Sequence, residues 1–208
     1  MDTSSCIMLA CNLLTPISLG SIIIDEDLEG EGLVLDSHIT ILYAKEQHLD
    51  KTEILRELED RNLNYLKNFS ISDNYLKVTD LFELGKFSNE SDHLVLRLKN
   101  NSELYAKMKW LNTKLTGKYK IESEFDEYKP HLTLAQLKLG LADKYLGNET
   151  LQKILEDSMF QPEDFIISYG ISGEDEWKIF DLTHHRSVDR FFRLRELKQE
   201  LQDLRNNI

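Results

Sequence analysis

The chain has 208 residues, 41% of them hydrophobic and 30% charged, with nine glycines and three prolines. That balance suits a soluble globular protein of one large domain or two small lobes, and excludes a collagen-like, disordered or disulfide-built chain. A formal net charge of −12, from 37 acidic and 25 basic residues, opposes tight binding of long nucleic acid but leaves room for a small anion held by a few local groups.

Cys6 to Leu13 is continuously apolar and predicts a central strand, ended by Thr15-Pro16. Cys6 and Cys11 fall on opposite faces of that strand, which disfavours a disulfide and fits a reducing cytoplasm. The wider apolar run from Ile7 to Ile24 contains Asn12, Thr15, Pro16 and Ser18, and no basic residue precedes it. It therefore reads as core strand and loop, not as a signal or membrane segment. Residues 25–36 hold six acids and no base, with Gly30 and Gly32, and predict an exposed loop. A strand follows, Asp36-Ser37-His38-Ile39-Thr40-Ile41-Leu42-Tyr43. Strict alternation turns Ile39, Ile41 and Tyr43 to the core, and His38 and Thr40 away from it.

Asp50, with Glu53 three residues on, predicts a helix start and a helix over about 51–67. Two strands, Leu76–Leu84 and His93–Lys99, flank a turn region at Gly85–Asp92. Ser102 opens a helix whose buried stripe is Leu104, Met108, Leu111 and Leu115, with Gly117 just beyond its end. Tyr119–Ile121 predicts a short strand before the acidic link Glu122–Glu127. The stretch Lys129-Pro130-His131-Leu132-Thr133-Leu134-Ala135-Gln136 then repeats the earlier motif. A helix within Asn148–Asp157 precedes a hairpin of Phe165–Ile171 and Trp177–Leu182. From Ser187 the pattern becomes helical, with Leu194, Leu197, Leu201, Leu204 and Ile208 on one stripe. The chain thus divides into a domain over 1–182 and a C-terminal helical extension over 183–208. That extension either packs on its own lobe, leaving a monomer, or pairs with a second copy.

The doubled motif carries the chemistry. One His-x-Thr in a strand is common by chance, and a lone strand histidine is more often structural than catalytic. Two copies, each with an apolar middle residue and strand-like flanks, are far more demanding. Brought side by side, they would put two imidazoles and two hydroxyls around one cleft. One ring could remove a proton while the other donates one. The hydroxyls could hold the non-bridging oxygens of a phosphate. No cofactor or metal is required. A metal held by Asp36, His38 and His131 is the competing arrangement, but no further ligand spacing accompanies it.

With His38-Ile39-Thr40 and His131-Leu132-Thr133 in this order of elements, residues 5–182 resemble the 2H phosphoesterase superfamily. The resemblance implies an α+β, two-lobed fold whose antiparallel sheets face a central cleft, with helices outside. It also implies metal-independent cleavage of nucleotide phosphodiesters. His38 and His131 would be the acid–base pair, and Thr40 and Thr133 the phosphate clamps. The acidic, Gly-containing approach to the first motif is similar to that of small phage-encoded members, among them anti-CBASS nucleases. Those members destroy cyclic di- and trinucleotide alarm signals in the host cytoplasm.

Three functions follow for test. The first is hydrolysis of 3′-5′ bonds in small cyclic nucleotides. The second is processing of 2′,3′-cyclic or 2′-5′ RNA ends, which the acidic balance disfavours. The third is sequestration of a cyclic nucleotide without cleavage, which has no use for matched proton donors. Tyr128 and Trp177 are candidates to stack on a base. Lys129 and Lys178 could offset phosphate charge, and Asn12 could reach the cleft from the end of the first strand. His48, His93, His184 and His185 read as surface or edge residues.

Overall fold

The computed structural model describes residues 3–11, 19–34, 38–59, 76–122, 127–160, 165–171, 178–181 and 186–187. These form a mixed α+β structure. Its strands are β1 (Ser5–Cys11), β2 (Leu28–Leu33), β3 (His38–Ala44), β4 (Leu76–Lys77), β5 (Phe82–Ser88), β6 (Asp92–Leu98) and β7 (His131–Leu137). They continue with β8 (Met159–Phe160), β9 (Phe165–Ile171), β10 (Lys178–Asp181) and β11 (Arg186–Ser187). Its helices are α1 (Lys51–Glu59), α2 (Val78–Leu81), α3 (Glu103–Tyr119), α4 (Ala142–Leu146) and α5 (Glu149–Asp157). No described helix is long and apolar enough to cross a membrane.

The main sheet runs β11–β10–β9–β1–β3–β7–β6–β5, with β2 also on β7, and its described pairings are antiparallel. One face is apolar. Ile7, Leu9, Ile39, Ile41, Leu94, Leu96, Leu132 and Leu134 join Leu104, Met108, Leu111 and Leu115 of α3 in a single core. The last four are the stripe expected from sequence, and Ser102 caps their helix by accepting from the Tyr105 amide at 3.1 Å. Cys6, Met8 and Val95 are buried outside that core, as residues of the opposite sheet face would be.

The two motif strands meet in the middle of the sheet, joined by one facing pair, Ile39 and Leu132. Each also contains a β-bulge. Ile7 faces Leu42 and Met8 faces Thr40, so Ile41 is an extra residue in β3. Leu94 faces Ala135 and Val95 faces Thr133, so Leu134 is an extra residue in β7. A bulge resets the alternation of side chains. Ile41 and Leu42 are therefore both buried, as are Leu134 and Ala135, while Tyr43 is 43% exposed. Tyr43 accordingly does not join Ile39 and Ile41 in the core.

Other expectations also shift. Residues 28–33 of the acidic stretch form β2 on β7, held where Leu28 faces Leu137 and Leu33 faces Ala135. Gly30, at φ +50°, takes a backbone conformation that other residues rarely adopt, with the Gln136 side chain lying against it. The segment 76–84 is not one strand: Val78–Leu81 makes a helical turn, with Val78 and Leu81 buried. β5 then runs through Gly85 to Ser88, so the turn shrinks to residues 89–91. Helix α3 passes Gly117 and absorbs Tyr119; Lys120, at φ 54°, ends it, and the Lys120 and Ile121 amides both donate to the Thr116 carbonyl. Helix α1 is described over 51–59 of the expected 51–67, and α4 is a helix that the sequence pattern does not predict. Ser187 lies in β11 rather than opening a helix. Residues 188–208, with the leucine stripe, lie outside the described residues.

Candidate functional site

Strand β3 brings His38 and Thr40 to the sheet centre, and β7 brings His131 and Thr133. In an antiparallel ladder the neighbours of a facing pair also face one another. The antiparallel crossing at Ile39 and Leu132 therefore puts His38 and Thr133 on one side of that pair, and Thr40 and His131 on the other. All four belong to the face away from the main core and are half-buried. The two histidines flank that pair diagonally, near enough for the charge of His38 to act on His131.

His131 is held in a defined way. Its Nδ1 donates to the Lys129 carbonyl at 2.7 Å, since a carbonyl can only accept. In the neutral ring this leaves the lone pair on Nε2. Phe87 meets the ring edge-on, with centroids 4.7 Å apart. Burial holds the His131 pKa below the usual histidine value, against the raising effect of the Lys129 carbonyl; the nearby charges of His38, His93 and Arg97 depress it further. The neutral form, with an accepting Nε2, is thus favoured at neutral pH. That is the state of a general base.

Two of these neighbours, His93 and Arg97, are not evident from motif reading. His93 is not at an edge: β6 lies between β5 and β7, and His93 faces Phe87 on one side and Gln136 on the other. Arg97 faces His131. Its Cζ lies 4.8 Å from the Phe87 ring centroid, its Nη2 donates to the Lys86 carbonyl, and its buried Nε has no hydrogen-bond partner. The regular alternation in His93-Leu94-Val95-Leu96-Arg97-Leu98 looks like any amphipathic strand, so only the register reveals these residues.

On the other flank, β1 sets Ala10 opposite His38 and Met8 opposite Thr40. The Thr40 side chain is hydrogen-bonded to the Cys6 thiol, whose pKa burial pushes up to about 12. Cys6 is therefore a neutral packing residue, not a nucleophile.

Of the proposed substrate-binding residues, Tyr128 is half-buried against the core and its hydroxyl donates to the Thr40 carbonyl at 2.8 Å. Burial raises its pKa, so it stays a neutral donor. This ties the entry to β7 directly to β3. Lys129 is exposed, with Nζ 3.9 Å from Glu127, and contributes its carbonyl to His131. Asn12, Trp177, His184 and His185 lie outside the described residues, as does the side chain of Lys178. Among the described residues no three His, Cys, Asp or Glu side chains are grouped to hold a metal; Asp36 lies outside them.

This face can remove a proton at His131 Nε2, supply one from a second imidazole, and offer two hydroxyls to an anion between them. No protein-family model matches the chain, and no curated protein matches it significantly.

Proposed function

We propose that the chain is a phosphodiesterase of the two-histidine type, opening 3′-5′ phosphodiester bonds of small cyclic di- or trinucleotides without a metal. The observation that carries this reading is the facing of two His-x-Thr strands across the single pair Ile39 and Leu132. His131 is the general base: its Nε2 takes the proton from the attacking oxygen, of water or of the ribose 2′-hydroxyl. As that oxygen bonds to phosphorus, the bond to the departing 5′-oxygen breaks, and protonated His38 donates its proton to that oxygen. The Thr40 and Thr133 hydroxyls hydrogen-bond the non-bridging oxygens as charge builds on them. With water the product is a linear nucleotide; with the 2′-hydroxyl it is a 2′,3′-cyclic end.

In this reading the two lobes are the two halves of the single main sheet, on either side of the β3–β7 seam. β9–β1–β3 and β7–β6–β5 are mirrored sets of three strands, each ending at the seam on a bulged motif strand. The substrate in this reading is a signalling nucleotide, small enough for a few local groups to hold on a chain of net charge −12.

The decisive experiment is incubation with cyclic dinucleotides, cyclic trinucleotides and 2′,3′-cyclic mononucleotides, in buffer and after EDTA treatment, followed by chromatography. Linear products from the cyclic di- or trinucleotides, surviving EDTA, are expected. Loss of activity in EDTA with recovery on adding a divalent ion would overturn the metal-free mechanism. Stoichiometric retention of an uncut ligand would make the protein a sequestering one.

A further inference from the structure

The cationic flank of β7 has no role in the two-histidine chemistry, which needs only the four motif side chains. We propose that Arg97 forms a subsite for a second phosphate of the substrate, selecting small nucleotides that carry two or more phosphates over those that carry one. The inference rests on the phosphodiesterase reading and adds the substrate class to it.

Arg97 sits one strand over from His131, directly opposite it, so its backbone is about 5 Å from that of His131. Its side chain lies along β5 instead of reaching across the seam. Gly85 makes the path: a Cβ there would lie 2.9 Å from Arg97 Nε and 3.1 Å from Cζ. Phe87 supports the guanidinium from the side, 4.8 Å from its centroid, while also packing on the His131 ring. One arm of the fork is committed to the Lys86 carbonyl through Nη2, and the buried Nε has no partner. A guanidinium is permanently charged, and its planar fork matches the oxygens of a phosphate. A phosphate reacting between the histidines would have Arg97 at its edge rather than over it. The group within reach of the fork would then be the next phosphate along a small ring. His93, four residues before Arg97 on the same strand face, stands opposite Phe87, the ring that supports the guanidinium.

The test compares kcat/KM for a cyclic dinucleotide and for a 2′,3′-cyclic mononucleotide, in the wild type, Arg97→Gln and Arg97→Lys. Arg97→Gln should lower the dinucleotide value by about tenfold to a hundredfold, mostly through KM, as expected for losing a charged hydrogen-bond pair. The mononucleotide value should change less than about threefold by the same reasoning. Arg97→Lys, which keeps the charge and most of the stem, should fall between. Equal losses on both substrates, or none on the dinucleotide, would overturn the subsite. Cleavage of the mononucleotide alone by the wild type would also overturn it, yet leave the histidine mechanism standing. If the wild type cleaves neither, equilibrium titration with the dinucleotide decides. Binding that Arg97→Gln abolishes would support the subsite and refute the hydrolysis; absence of binding by the wild type would refute both.

Discussion

Strands β3 and β7 carry the same motif and the same bulge one residue after the threonine, yet they are held by different means. In β3 the carbonyl of the extra residue, Ile41, accepts from the side chain of Asn112 on α3 at 2.8 Å. In β7 the carbonyl of Leu134 accepts from the main-chain amide of Val34 at 2.9 Å, just past β2. The surroundings differ as well. His38 and Thr40 face Ala10 and Met8, whereas His131 is flanked by Arg97, with His93 and Phe87 close by. Equal motifs therefore need not have equal surroundings: at His131 burial comes first, and the charges on the neighbouring strands add to it, in holding the pKa down.

The comparison is broken most sharply at the imidazoles. His38→Ala and His131→Ala should each lower kcat by about 10²- to 10⁴-fold, the range expected for one acid–base group. The double variant should be little worse than either single one, because proton removal and donation act as a unit. Wild-type turnover in either single variant would remove the mechanism. Both folds should persist, since neither side chain belongs to the main core.

The pH profile separates the two rings. A general base must be neutral, so activity rises with pH as His131 loses its proton. Because burial, and then the neighbouring charges, hold that pKa down, the acidic limb of kcat/KM should lie below about 6.5, the ordinary histidine value. Below the limb, activity should fall about tenfold per pH unit. Arg97→Gln removes a permanent neighbouring charge and should move the limb upward, though not past the ordinary value, since burial is the larger cause. A limb above that value in the wild type would reassign His131 as the acid.

The bulges make a similar contrast in stability. Asn112→Ala leaves the Ile41 carbonyl without its donor beneath the sheet and should cost about 1–3 kcal/mol in urea unfolding. In β7 the donor is main chain, so only Val34→Pro, which removes the amide hydrogen itself, does the same there. A change below about 0.5 kcal/mol would place the β3 bulge under the control of its ladder alone.

What could be read from the residues follows the same division. His38, Thr40, His131 and Thr133 were legible because each sits in a short apolar run of strand length, and α3 because its leucines and Met108 repeat at helical spacing. The bulges were not, although Ile41-Leu42 and Leu134-Ala135 hold their trace. Two adjacent apolar residues in an alternating strand read as ordinary hydrophobic excess until a partner strand shows that both are buried. β2 hid behind its acids, since only its ends are fixed to β7 and Gly30 lies against Gln136. Arg97 and His93 carried no local signal, because their importance comes from register, a non-local property of the sheet.

The smallest effect probes the seam itself. Beyond Ile39 and Leu132 no further facing pair joins β3 to β7 among the described residues, and the Thr40 carbonyl is taken by the Tyr128 hydroxyl instead. Tyr128→Phe keeps the ring packed on the core and deletes only that bond. It should cost about 0.5–1.5 kcal/mol of stability, the usual net worth of one hydrogen bond. If the bond merely adds stability, kcat should stay unchanged. If it fixes how closely Thr40 stands to His131, kcat should fall severalfold while KM for the cyclic substrate holds, because a small displacement harms the transition state more than the bound ground state. A rise in KM at constant kcat would instead mean that the hydroxyl itself contacts the substrate, since the phenyl ring of the variant would keep any stacking on a base.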